Sequence, residues 1–351
     1  MKQIVINARF LTQPITGVQR YAIEISKQLK KIDPTINFVA PSNIININIA
    51  NELEVIITGK LKGHLWDQIE LPKYLAQNKY PLLLNLANTA PLWYKNKVST
   101  ILDLSFIHNP KWFSKLFSIT YGFMVPKIVY SSLHIFSDSK YVKDDISTHF
   151  NISSDKITYG YGDAANIFKN TMQNNEKHKN AYILAVGSLD PRKNLLGLIK
   201  AYNTLKTDVK LYIVGSKNKI FKNDSYDKYI NENHKIIFTG YINDNELCEL
   251  YKHAKVFVYP SYYEGFGIPP LEAQACGCPV IVSNVTSLPE VYEDSAIYCN
   301  PYDSDDIAGK IRMVLSDIKL QKYLKTKGLN NVKRFSWEKT AIQFYEVLQV
   351  L

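Results

Sequence analysis

Short, almost uninterrupted apolar runs alternate along the chain with longer stretches of helical periodicity. In the first half QIVINA (3–8), NFVA (37–40), EVIIT (54–58), LLLNL (82–86) and HIFSDS (134–139) read as strands. In the second half the same reading falls on YILAVG (182–187), KLYIVG (210–215), KIIFTG (235–240), VFVYPS (256–261) and PVIVS (279–283). Strands that are apolar on both faces and separated by helices predict parallel sheets covered on both sides, an α/β class built of two Rossmann-like, doubly wound domains. The polar segment KNTMQNNEKHKNA (169–181) has no apolar periodicity and reads as the linker, so the domains are expected over 1–170 and 181–335. Ligands of such sheets bind outside the carboxyl ends of the strands, which points to a cleft between two facing domains.

Composition narrows the class. The chain has 351 residues, 46% of them hydrophobic, enough for two full cores. No apolar run is long enough to span a bilayer, and MKQIVINARF enters a strand without a basic-then-apolar leader, so a cytoplasmic address is expected. Cys248, Cys276, Cys278 and Cys299 lack metal-ligand spacing and read as buried thiols. Residues 1–175 carry 19 Lys and Arg against 12 Asp and Glu, most of the formal net charge of +10. With the aromatics of PLWYKNK (91–97) and NPKWFSKLF (109–117), this basic half is a candidate for contact with an anionic membrane; the alternative is a solvated basic surface over a core segment. No nucleic-acid motif accompanies the charge, and no dinucleotide fingerprint follows the first strand of either domain, which argues against an NAD enzyme.

The chemistry concentrates in YEGFGIPPLEA (263–273), between two apolar strands. Gly265 and Gly267 permit unusual φ and close approach of the backbone to a ligand, and Pro270 suits a first helical turn whose free N–H groups attract phosphate. The amides of Gly265, Phe266, Gly267 and Ile268 would hold that phosphate. Glu272, in the same turn, would accept both hydrogens of a ribose diol, and Glu264 would face a sugar. The alternative is two solvated carboxylates favoured by the helix dipole.

The segment 240–301 resembles the donor-binding half of retaining glycosyltransferases of family 4, whose hallmark is two glutamates separated by seven residues, the spacing of Glu264 and Glu272. The resemblance continues through almost the whole chain. VGSLDPRKNL (186–195) looks like the family's phosphate-binding turn, with Gly187 at the bend and Arg192 and Lys193 reaching a diphosphate; Ser188 stands where many relatives carry arginine. ITGVQRYAIEISKQL, from Ile15, matches the family's other glycine turn, which implies a phosphate or acceptor loop of Gly17, Val18 and Arg20. Tyr241, in the GYIND turn, is implied in donor binding. LWDQIELP (65–72) and LNLANTAPL (84–92) resemble a subgroup of mannosyltransferases making bacterial surface polysaccharides. In ILDLSFIHNPKWF (101–113) Leu102 replaces the family's histidine, leaving Asp103, with His108 six residues beyond Leu102 as a candidate substitute. SWEKTAIQFYEVLQVL (336–351) resembles the family's closing helix, which packs back on the N-terminal domain.

The resemblance implies the GT-B architecture, an acceptor-binding first domain and a donor-binding second one. It implies transfer of a hexose from a nucleotide diphosphate sugar with retention and without metal or other cofactor. It also implies GDP-mannose ahead of UDP sugars and dTDP-rhamnose as the donor, and as the acceptor an undecaprenyl-linked glycan of O-antigen or capsule synthesis at the inner face of the cytoplasmic membrane. Two other readings stand beside it: a degenerate transferase acting as a non-catalytic partner in polysaccharide assembly, and a phosphorylase or epimerase on the same architecture.

Overall fold

In the computed structural model, which describes residues 3–169, 182–187, 190–215 and 234–351, the apolar runs form two all-parallel sheets. The first contains β1 (Ile4–Asn7), β2 (Asn37–Ala40), β3 (Ile56–Ile57), β4 (Leu82–Asn85), β5 (Lys97–Thr100), β6 (His134–Ser137) and β7 (Ile157–Tyr159), in the order β3-β2-β1-β4-β5-β6-β7. The second contains β8 (Tyr182–Val186), β9 (Lys210–Val214), β10 (Ile236–Gly240), β11 (Ala254–Tyr259), β12 (Val280–Ser283) and β13 (Ile297–Cys299), in the order β10-β9-β8-β11-β12-β13. Strand order reverses between β1 and β4 and again between β8 and β11. Crossover helices diverge to opposite faces there and leave a crevice at the carboxyl ends of the central strands.

The chain divides into two compact units, Met1–Gly162 with Ser336–Leu351, and Asp163–Phe335. In the first, α1 (Gly17–Ile32), α2 (Lys115–Ser131) and α3 (Lys140–Phe150) cover the sheet; Val125, Ile128, Ile135, Val142 and Ile146 share one fully buried cluster. The second carries α4 (Leu195–Thr204), α5 (Asp244–His253), α6 (Ile268–Ala275), α7 (Ser304–Ser316) and α8 (Ile318–Val332). Leu198 and Ile199 of α4 and Ile307 and Ile311 of α7 meet Ile183, Ile213 and Val256 of the sheet in its core. The closing helix α9 (Trp337–Val350) packs on α1. Trp337 stands edge-on to Tyr21 at 5.5 Å, and Phe344 stacks on Phe136 of β6 at 3.7 Å. Tyr21 donates to the carbonyl of Gly160, where a Cβ would lie 2.4 Å from Thr340 of α9, so this contact requires glycine. Apart from Lys169, which pairs with Asp163, the expected linker lies outside the described residues.

Three strands that the apolar pattern does not announce, β5, β7 and β13, complete the sheets. β5 is KVST, and its Lys97 is fully buried. The Lys97 ammonium donates to the carbonyl of Tyr94 at 2.6 Å and to Ser131 Oγ at 2.8 Å, which replaces part of its lost hydration. Burial, followed by the nearby charge of Lys156, pulls its pKa down to about 8 from an ordinary 10.5. Between these two values the unfolded chain binds the proton more readily than the folded one, so folding stability rises with pH across that window. Replacing Lys97 with Met is expected to abolish this rise, worth up to about 3 kcal/mol; urea titrations of both proteins at several alkaline pH values measure the difference.

Candidate functional site

At the β8/β11 crevice the segments that follow the two strands meet. Beyond β8, Asp190 caps a short turn, Pro191–Lys193, by accepting from the Arg192 N–H, and Asn194 then takes a left-handed φ of 52°. The Asn194 amide donates to the carbonyls of Pro260 and Pro301, fixing this turn against the loop after β11. That turn aims Lys193 inward. Its Nζ lies 2.7 Å from Glu264 Oε1 and 2.6 Å from the Tyr259 hydroxyl, and the Glu264 carboxylate is buried. Burial alone would raise the Glu264 pKa, but the charges of Lys193 and Arg192 outweigh it and hold the carboxyl below its ordinary value. Burial likewise lowers the Lys193 ammonium, against the pull of Glu264. Gly187 lies against the Lys193 stem, where a Cβ would rest at an ordinary contact distance of 3.4 Å.

The Glu264 backbone is clamped from a third loop: its N–H donates to Thr286 Oγ1 at 3.1 Å, and its carbonyl accepts from Ser287 Oγ at 3.0 Å. Of the two loop glycines only Gly267 takes a left-handed φ, +92°; the expectation of unusual φ at both corrects to one. Gly267 caps α6, its carbonyl accepts from the Tyr292 hydroxyl, and a Cβ on it would lie 2.7 Å from Leu288. Phe266 is buried edge-on to Phe335 at 5.6 Å, and Ile268 begins the helix. Glu272 is the fifth residue of α6, one position beyond the first turn expected for it, because the helix starts at Ile268, ahead of both prolines. It is buried and accepts from the Tyr251 hydroxyl at 3.4 Å. Tyr292 lies near both carboxylates: burial and then the charges of Glu264 and Glu272 push its phenol well above the ordinary range. Tyr259, Thr286, Ser287 and Tyr292 thus belong to the site. Their only sequence signal is a Ser/Thr pair before LPEVY and a tyrosine closing an apolar strand.

The structure thus unites Gly187, Arg192, Lys193, Glu264, Gly265, Phe266, Gly267, Ile268 and Glu272 around one crevice of the second unit. Tyr241 stands apart, 81% exposed after the edge strand β10, and Ser188 is outside the described residues.

The remaining candidates belong to the first unit. Gly17 opens α1 with open space where a Cβ would stand, and Val18 lines a cavity of about 180 Å³ at the β1/β4 crevice. The floor of that cavity includes Arg9, paired with fully buried Asp67 at 2.6 Å and bonded to Thr89 at 2.7 Å. Arg20 is half-buried on α1 within electrostatic reach of Glu24. Asp103 accepts from the N–H and hydroxyl of Ser105, the first residue of the turn Ser105–His108. His108 binds Asp145 of α3 at 2.9 Å. Leu102 is buried, its N–H held by Asn88 at 2.7 Å. Among the described residues no group of His, Cys, Asp and Glu is arranged to hold a metal ion.

A family model described as "Glycosyl transferases group 1" matches residues 166–331. The chain is 29% identical to O-antigen chain mannosyltransferase B of Escherichia coli over 99% of its own length and all of that protein. It is 30% identical to the N-acetylgalactosamine-N,N'-diacetylbacillosaminyl-diphospho-undecaprenol 4-alpha-N-acetylgalactosaminyltransferase of Campylobacter jejuni over 77% of this chain and 72% of that protein. HepE of Anabaena, solved in complex with UDP-glucose, superposes over 100% of both chains with a TM-score of 0.77 at 16% identity, a likeness of fold. The fold class expected from the sequence, two Rossmann-like α/β units of the GT-B type, is borne out.

Replacing Lys193 with Met leaves Glu264 a buried, uncompensated carboxylate, expected to cost the second unit about 3 kcal/mol. The wild-type Glu264 pKa lies below 4.5, so its contribution is full above that pH and fades as pH falls through the folded value. In Lys193→Met the carboxyl is raised instead, and the sign reverses: acidification strengthens its contribution. Urea unfolding at a series of acid pH values checks both the loss and the change of slope.

Proposed function

The chain belongs to the group 1 glycosyl transferases, and from that membership we propose that it moves a mannosyl residue from GDP-mannose to a lipid-linked glycan of a bacterial surface polysaccharide, O-antigen or capsule, with retention and without a metal ion. The observation that carries the site assignment is the buried Lys193–Glu264 pair, formed between the segments that follow the neighbouring strands β8 and β11. The sugar and the pathway rest on the full-length likeness to O-antigen chain mannosyltransferase B. The lipid carrier rests on the relative named for a diphospho-undecaprenol substrate.

In this reading the amides from Gly265 to Ile268 and the cations Lys193 and Arg192 receive the diphosphate. Glu264, held ionised by Lys193, orients hydroxyls of the sugar, while Glu272 takes the ribose diol. As the bond from anomeric carbon to phosphate breaks, negative charge grows on the leaving GDP. Lys193 and the helix-end amides are already aimed at it, so little reorganisation is needed. The acceptor hydroxyl attacks from the face the diphosphate leaves, and its proton passes to the departing phosphate. These preorganised positive groups do the electrostatic work a metal ion would otherwise do. The first unit, with its cavity beside Val18, holds the acceptor while the protein rests against the membrane that carries it.

The test is a calorimetric screen against GDP, UDP and dTDP in EDTA, followed by NMR of the product formed from GDP-mannose. GDP is expected to bind selectively, Glu272→Ala to weaken it about tenfold or more, a loss of about 1.4 kcal/mol, and the new linkage to keep the donor's anomeric configuration. Unchanged affinity in Glu272→Ala, an inverted product, or activity restored only by a divalent cation would each overturn the corresponding part. Nucleotide binding without turnover on any donor would favour the degenerate-partner reading instead.

A further inference from the structure

Helix α2 is apolar on nearly every side, yet only part of it is covered. Met124, Val125, Ile128 and Val129 pack into the first unit's core. Leu116, Ile119, Phe123 and Tyr130 are instead 76%, 71%, 56% and 59% exposed. Together with Lys127 these four fall within about 80° of arc at 3.6 residues per turn, so they form one continuous stripe along the helix. An exposed apolar stripe of this length is not what a solvated helix presents. Trp93, 84% exposed, extends it: the carbonyls of its neighbours Leu92 and Tyr94 accept from Lys97, which also binds Ser131 at the end of α2.

We propose that this outward face of α2 is the surface on which the protein lies against an anionic lipid bilayer, an inference that rests on the reading that its acceptor is lipid-linked. Charge selects this occupant. Residues 104–137 contain Lys111, Lys115 and Lys127 and no Asp or Glu at all. Lys127 Nζ sits 3.7 Å above the Phe123 ring, its ammonium beside the apolar stripe as a headgroup contact requires. A second copy docked on the same face by two-fold symmetry would set lysines against lysines with no carboxylate in the segment to answer them. Phosphate headgroups answer them directly.

Length sets the mode of contact. The 17 residues of α2 cover about 26 Å at 1.5 Å each, short of a comfortable span, and one face is committed to the protein core. Among the described residues no helix is long and apolar enough to cross a membrane. The helix therefore lies in the plane of the interface, its outward apolar stripe at the boundary of headgroups and acyl chains and its other face held by the protein core. Its inner flank carries the second half of the argument. Phe117 and Tyr121, stacked at 4.0 Å, line the cavity that also contains Val18 and Arg9. One helix thus borders lipid on one side and the candidate acceptor cavity on the other.

Flotation of the full chain with phosphatidylglycerol-containing vesicles, and with pure phosphatidylcholine vesicles, tests the proposal. Wild type is expected to float with the anionic vesicles and to be released by about 0.5 M salt. The double variant Ile119→Glu/Phe123→Glu should lose partitioning about tenfold or more, while Ile318→Glu, an equally exposed position on the second unit, should not. Flotation of the double variant at wild-type level overturns the proposal. So does failure of wild type to bind either vesicle, or a wild-type dimer that the double variant converts to monomer. The GDP-induced melting shift, measured on the same preparations, shows that the double variant is folded. Its presence alongside unchanged flotation defeats this inference alone, whereas its absence from wild type overturns the GDP-sugar donor instead, and the melting shift is then read with UDP or dTDP.

Discussion

A lysine and a glutamate that share a buried hydrogen bond organise the second unit. Neither Lys193 nor Glu264 would be tolerable alone at that depth, because a lone charge removed from water costs several kcal/mol. Together they require the turns after β8 and β11 to meet at hydrogen-bond distance, and the rest of the site supplies that meeting. Asn194 bridges to Pro260 and Pro301, Thr286 and Ser287 hold the Glu264 backbone, and Tyr292 holds Gly267. The glycine-rich loop is therefore a fixed cradle at the head of α6, its shape set before any ligand arrives.

The first unit solves a similar problem at its own strand-order reversal. Arg9, just beyond β1, pairs with Asp67, and Asn7 bridges Asp67 to Asn85 at the end of β4. Burial raises the Asp67 carboxyl in spite of the Arg9 charge and the Asn7 hydrogen bond. In both units the polar groups collect where the crossover helices diverge, the one place in a doubly wound sheet where the carboxyl ends of central strands are left uncovered.

What the sequence revealed, and what it withheld, follows from how far each contact reaches along the chain. Ten strands were legible because each is a local apolar run. β5 was not, since its lysine is acceptable only after Tyr94 and Ser131 have come to meet it. Glu264 and Glu272 were legible through the glycines and prolines around them. Two consecutive prolines suggest a later start for α6, whereas the helix opens at Ile268, ahead of both. Thr286, Ser287 and Tyr259 carry little local signal because their roles arise between loops, from residues 22 to 66 positions away. Asp103 and His108 were singled out by similarity, and their bonds to Ser105 and Asp145 depend on local geometry that similarity does not convey.

The placement of α9 has a consequence for how the protein is made. Phe344 covers Phe136, and Thr340 closes over the Gly160–Tyr161 backbone, 179 residues earlier in the chain. During synthesis the first unit therefore leaves the ribosome with an open apolar seam, and it stays unfinished until the whole second unit has been translated. The second unit, made of contiguous chain, can complete its core on emergence, whereas the first must wait with its seam exposed to chaperones and to neighbouring nascent chains. The order of domains along the gene and the order in which they mature are thus reversed.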